Sequence, residues 1–310
     1  MNAIQPIVSA LGPVFALVLL GCLLGRMQFP HRDFWPQAER FTYFFLFPTL
    51  LVFKLGSAAL PTVDLALAAL VLVALLILAT LLVLVLARVG KLTPMAQTSV
   101  LQGGVRFNTY VGLAAAGALF GDTGLVWGAV FVGVMIPLIN VVCVTGFALL
   151  LRDREQPLVR VLWGGVVRNP LILACLVGGG LNFSTIGIPT PLAPVMQLIS
   201  SMALPLGLLA VGVGLDLRRL RQGGLGLWLA SGFKLLLFPM LFIVLARLFG
   251  LSTEASSVLL LFALLPTSPA AYILARQLGG DAPLMASIIT LQTLLAMLTM
   301  PLLLTLVGVI

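Results

Sequence analysis

A chain of 310 residues that is 61% hydrophobic and only 8% charged, with a mean hydropathy of +1.21, has too little polar surface to clothe a soluble domain of that size. A polytopic membrane protein is the class that remains. The net charge of +8 would point to nucleic acid in a soluble chain, but these basic residues cluster in short loops between apolar spans, so topology accounts for them and no nucleic-acid partner is expected. Cys22, Cys143 and Cys175 fall within apolar spans without metal-ligand spacing and read as packing residues, so neither a metal nor a cofactor is expected.

In chain order, Ile4 to Arg26 is a full apolar span containing Gly12 and Pro13. It is too long for a signal peptide and lacks a clear cleavage site, so it is read as the first helix. Further spans are predicted at about Ala38 to Ser57, Leu65 to Ala87, Pro94 to Phe120 and Gly124 to Leu151. A short polar junction follows, Arg152 to Pro157. Beyond it come Leu158 to Leu181, Leu192 to Leu215, Gly226 to Leu248, Thr253 to Leu278 and Pro283 to Val309. The fold class predicted is therefore all-α, with ten transmembrane helices: five in residues 1–151, a linker at 152–157, and five in 158–310.

Two spans are interrupted near their middles. In LQGGVRFNTYVG, Leu101 to Gly112, Gly103 and Gly104 loosen the helix while Arg106, Asn108, Thr109 and Tyr110 bring in polar groups. In ALLPTSPAAY, Ala263 to Tyr272, Pro266 and Pro269 each remove a backbone donor and clash with the preceding turn. Unpaired backbone at membrane depth survives only where protein surrounds it or water reaches it, and a pair of such breaks in corresponding halves marks a transporter's substrate site. Thr267 and Ser268 occupy the second break in the register that Asn108 and Thr109 occupy in the first. Their hydroxyls either bind substrate or satisfy the broken backbone.

The halves repeat. Gly12-Pro13 pairs with Asn169-Pro170 and Pro48 with Pro205 at one offset, and Ala87-Arg88 pairs with Ala246-Arg247 and Gly121-Asp122 with Gly280-Asp281 at an offset two residues longer. Five spans per half is an odd number, so the second half enters from the opposite side and the repeat is inverted. Twelve of the 17 Lys and Arg residues fall on one face and two, Lys54 and Arg247, on the other. Positive residues stay cytoplasmic, so both termini are predicted outside a cytoplasmic membrane. The pairs Gly21/Gly25 and Gly117/Gly121 have GxxxG spacing, which fits close helix packing and leaves a homodimer open.

Three cations, Arg106, Arg168 and Lys234, lie inside spans, whereas all nine acidic residues fall in loops or near span ends. An intramembrane charge costs roughly 2.5–3.5 kcal/mol on insertion scales, so these cations should face a cavity, freed carbonyls or an anion. An anionic substrate is favoured, and helix N-termini at the breaks would add positive potential and free N–H donors suited to a carboxylate. Arg168 could instead cap carbonyls freed by Pro170, and Lys234 could snorkel or bond to carbonyls. The lack of midspan carboxylates argues against tight coupling to protons or sodium through such groups. A secondary carrier explains the repeat, both breaks and the buried cations, whereas a channel would not require paired breaks. An enzyme is not expected, because HExxH, GxSxG and paired intramembrane aspartates are missing, as is a phosphate-binding GxxxxGK[ST].

FLFPTLLVFKL at Phe45 to Leu55, RFN at Arg106 to Asn108, RNPLILA at Arg168 to Ala174, ALPLGLLAVGVGL at Ala203 to Leu215 and FKLLLFP at Phe233 to Pro239, in this order and spacing, resemble the auxin efflux carrier family, in its bacterial permease branch. The resemblance extends over essentially the whole chain. It implies a fold like the sodium/proton antiporters and bile acid symporters, with panel and transport domains interleaved from both repeats, fourth and ninth spans crossing as broken helices, and an elevator-like motion. It also implies a small organic anion as substrate, malonate-like carboxylates first and auxin-like aromatic weak acids second. The long cytoplasmic loop of the plant carriers has only the junction Arg152 to Pro157 in its place, so loop-based regulation is not expected.

Overall fold

The computed structural model describes residues 4–31, 33–57, 62–151, 169–184, 186–222 and 224–308. The junction Arg152 to Pro157 and the start of the predicted sixth span, residues 158–168 with Arg168, lie outside the described residues. Everything described is helix or connection, with no strand among the described residues. The helices are α1 (Ile4–Arg26), α2 (Phe34–Phe41), α3 (Phe47–Gly56), α4 (Thr62–Val89), α5 (Pro94–Val105), α6 (Thr109–Leu151), α7 (Pro170–Phe183), α8 (Ala193–Val213), α9 (Gly224–Gly232), α10 (Phe238–Phe249), α11 (Thr253–Ala263), α12 (Ala270–Gln277) and α13 (Ala282–Val307). Among the described residues six helical segments are long and apolar enough to cross a membrane: Ile4–Arg26, Leu65–Val89, Pro94–Leu151, Ala193–Val213, Gly224–Phe249 and Ala282–Val307. Pro170–Phe183 and Thr253–Ala263 are shorter apolar helices. Leu81, Leu248, Leu298 and Leu306 are among many large apolar side chains left exposed, as expected of surfaces solvated by lipid.

Proline shapes two of the rods in the same way. π-Helical segments at Thr42–Leu46 and Phe233–Leu237 join α2 to α3 and α9 to α10, and each is followed by Phe-Pro, Phe47-Pro48 and Phe238-Pro239. A proline ring collides with the carbonyl four residues back and offers no N–H to it, so the helix absorbs the conflict by widening one turn upstream. Within α6, Gly121 adopts φ 60° and ψ −140°, outside the helical region. The two arms of α6 fold back on one another there. A Cβ on Gly124 would collide with the Ala116 carbonyl, and Gly128 lies against Leu113, so the predicted boundary between the spans ending at Phe120 and starting at Gly124 is a tight reversal.

Small residues set the helix contacts. A Cβ on Gly21 would strike the Leu209 backbone and one on Gly212 the Val18 carbonyl, while Gly25 lies against Val213, so the first GxxxG stripe packs α1 on α8 within the chain. Gly178 of α7 lies against Val52 and Leu55 of α3, and Asn182 Nδ2 donates to the Leu55 carbonyl at 2.9 Å. Gly103 and Gly104 serve the same purpose in α5. They remain helical rather than forming the break, with Gly103 against Ile288 and Ala230 and Gly104 against Val83 and Phe233.

Candidate functional site: a basic cavity at two helix breaks

The chain leaves the helix at Arg106, which is extended at φ −74° and ψ 159°, and re-enters it at Thr109. Asn108 caps the new helix, its Oδ1 accepting from the N–H groups of Tyr110 at 3.1 Å and Val111 at 3.2 Å. The second break runs from Leu264 to Pro269, between α11 and α12, where Ser268 Oγ accepts from the Ala270 N–H at 3.3 Å. The two breaks touch: the Asn108 N–H donates to the Pro266 carbonyl at 2.8 Å, and Thr267 Oγ1 donates to the Gln102 carbonyl at 3.3 Å.

One side chain on a neighbouring helix holds both. Gln292 of α13 accepts from the Thr267 N–H through Oε1 at 2.9 Å, and its Nε2 donates to the carbonyls of Gly103 at 3.0 Å and Ala230 at 3.2 Å. Sequence reading passed over Gln292. A lone amide in an apolar helix carries no periodic signal, although the need of two broken helices for a buried donor and acceptor could have prompted the search.

Against the breaks lies a cavity of about 640 Å³. Arg106, Asn108, Thr109, Tyr110, Ser268 and Pro269 line it, so the structure gathers these predicted residues in one place. Thr267 and Pro266 are fully buried behind the wall, where Thr267 is occupied by Gln292 and Gln102. Lys234 also lies outside the cavity wall. It is fully buried, its Nζ has no hydrogen-bond partner among the described residues, and that atom sits 3.8 Å from the centroid of the Phe238 ring.

The wall carries two guanidinium groups, Arg40 and Arg106, and one carboxylate, Glu39. Arg106 Nη2 donates to Asn140 Oδ1 at 3.0 Å, leaving Nε without a partner, and Asn108 Nδ2 is likewise unpartnered. Asn169, also on the wall, caps α7 by accepting from the N–H groups of Leu171 at 3.0 Å and Ile172 at 3.4 Å. The helix starts at Thr109, Pro170 and Ala270 therefore all border the cavity, each bringing the positive end of a helix dipole. Asn140 and Asn169 were not predicted. Asn169 was legible as a cap, because Asn followed by Pro before an apolar run is a helix-start signal. The rest of the lining is largely apolar, with Phe44, Phe107, Ile136, Ile139, Leu171 and Ile273.

Long apolar helices, two of them interrupted and joined at the interruptions beside an internal cavity, define a multi-pass membrane protein. Residues 154–304 match the profile of a family described as membrane transport protein. A protein of Methanothermobacter thermautotrophicus described as an uncharacterized transporter is 30% identical over 124 residues, and the match spans 40% of this chain and 41% of that relative. Both similarities are to transport proteins and point away from an enzyme.

Proposed function

We propose that the chain is a secondary transporter that moves a small organic anion, a mono- or dicarboxylate, across the cytoplasmic membrane by elevator-like alternating access. The observation that carries this reading is the convergence of the Arg106 guanidinium and three helix N-termini on one cavity beside two abutting breaks. A carboxylate in the cavity would meet the half-buried Arg106 guanidinium and the positive ends of those helices. The similarity of residues 154–304 to membrane transport proteins supports the same class, as does the resemblance to auxin efflux carriers.

The architecture that goes with this function is ten spans in two inverted halves, 1–151 and 158–310, with the fourth and ninth spans crossing at their breaks. Support comes from the contact between Asn108 and Pro266 and from the way α1, α3, α7 and α8 pack chiefly on one another. In this reading those four helices belong to the panel and the broken helices to the moving transport domain, with both termini outside. Moving one negative charge outward gains roughly 2.3 kcal/mol per 100 mV of interior-negative potential, so a monoanion needs no second ion for export.

A specific observation favours the second substrate class. Malonate has little apolar surface, whereas the cavity walls are mainly aromatic and aliphatic and the volume of about 640 Å³ leaves room for a ring. An aromatic weak acid buries its ring on those walls while its carboxylate meets Arg106. The test is uptake by Arg106→Ala in proteoliposomes. Transport should fall to background with the protein still folded, and near-normal uptake would remove Arg106 from the site.

A further inference from the structure

The anion cavity contains a carboxylate of its own. Pro36, Glu39, Arg40, Tyr43 and Phe44 reach the cavity from one face of the helical run that begins at Phe34, at the three- and four-residue spacings of a helix. Glu39 is half-buried, and among the described residues it has neither a hydrogen bond nor an ion pair. Its neighbour Arg40 is exposed and makes no ion pair with it.

Glu39 and Arg106 line one cavity from different elements. Tyr43 lies within electrostatic range of Arg106, and Glu39 sits one turn of the same helix away from Tyr43, about 6 Å at 1.5 Å per residue. Glu39 and Tyr43 both lie within electrostatic range of Tyr110, so the carboxylate faces the same space as the residues of the first break. The cavity therefore holds an unpaired acceptor, with Arg40 beside it in sequence, as well as the Arg106 guanidinium.

We infer that Glu39 is a specificity-determining residue which accepts a hydrogen bond from the end of the substrate remote from its carboxylate, so that the site selects carboxylates bearing an amino or other N–H group one helical turn away and rejects dicarboxylates. This rests on the anion-site reading above. A second carboxylate would be brought against Glu39, where like charges in a partly desolvated space repel, whereas an N–H donor satisfies an acceptor that otherwise remains unpaired. A site built to receive a donor rejects analogues that lack it more strongly than an apolar wall rejects a change of shape.

Three rigid probes share a ring and a carboxylate and differ only at the remote position: para-aminobenzoate, para-methylbenzoate and terephthalate. Equilibrium binding of each to the purified full chain is measured for the wild type, Glu39→Gln and Arg106→Ala, with a melting curve confirming that each protein is folded. The wild type should bind para-aminobenzoate about tenfold or more tightly than either analogue. Glu39→Gln should bring terephthalate to within about threefold of para-aminobenzoate, and Arg106→Ala should bind none of the three. A wild type that binds terephthalate as well as para-aminobenzoate overturns the role of Glu39 without any variant. An unchanged ranking in Glu39→Gln, with binding lost in Arg106→Ala, overturns it while leaving the anion site standing. Binding unaffected by Arg106→Ala, or no binding of any probe by the folded wild type, overturns the anion site itself.

Discussion

The Asn108 N–H donates to the Pro266 carbonyl at 2.8 Å, so each helix break repairs part of the other. In a continuous helix the Pro266 carbonyl would accept from the N–H of residue 270, but that N–H meets Ser268 Oγ instead. The prolines keep this exchange in place by denying the chain its helical alternative. Pro266→Ala and Pro269→Ala should each lower transport by on the order of tenfold, with melting temperatures unchanged or raised, since alanine favours the helix by about 3 kcal/mol over proline. Wild-type rates in both variants would separate the paired breaks from the mechanism.

Gln292 carries three hydrogen bonds that no other side chain duplicates among the described residues, one to the second break, one to the last turn of α5 leading into the first and one to α9. Gln292→Leu fills the space but strands the buried Thr267 N–H and the Gly103 carbonyl, each worth about 1–3 kcal/mol when unsatisfied. Loss of stability by on the order of 2–5 kcal/mol is expected, read as a lower unfolding midpoint in detergent. A midpoint equal to that of the wild type would mean that the breaks do not depend on Gln292.

Lys234 poses the opposite case. Its side chain is fully buried, without a hydrogen bond among the described residues, and Nζ lies over the face of Phe238, 3.8 Å from the ring centroid. Such a contact contributes about 2 kcal/mol when desolvated, against a penalty of several kcal/mol for burying the ion. Lys234→Met keeps the stem and removes the charge, so the unfolding midpoint should rise while anion binding is unchanged. A falling midpoint would show that the ammonium has a partner of greater worth than the ring.

Lys54 Nζ meets Asp122 Oδ1 at 2.5 Å, linking α3 to the reversal of α6 beside Gly121. The Asp122 side chain is 82% exposed, so solvent screens the pair despite its short distance. Asp122→Asn should change stability by under about 1 kcal/mol, and raising the salt concentration should shrink even that difference. A larger loss that persists in high salt would show that the pair acts inside a less solvated network.

Features encoded in local chemistry were legible in the sequence. Apolar run lengths located the long helices, and the prolines of Ala263 to Tyr272 together with the polar residues after Gly104 located both breaks. What escaped notice depends on distant packing. Gly103 and Gly104 read as helix breakers because glycine has low helix propensity, yet their missing side chains are needed where Ile288, Ala230, Val83 and Phe233 close on α5. Thr267 shares the register of Asn108 but faces Gln292 and Gln102 instead of the cavity, and a helix break leaves no periodicity from which to read direction. Glu39 was placed near a span end, where a carboxylate needs no explanation. Only the fold turns it towards Tyr110 and the space beside Arg106.

Counterflow in proteoliposomes tests the central claim most directly. Purified protein is reconstituted with a panel of unlabelled mono- and dicarboxylates trapped inside, and entry of a labelled carboxylate is followed. Saturable accumulation that depends on the trapped anion and disappears in Arg106→Ala is the predicted result. Folded wild-type protein that shows no counterflow with any member of the panel, or conducts anions without saturation, would contradict an anion carrier.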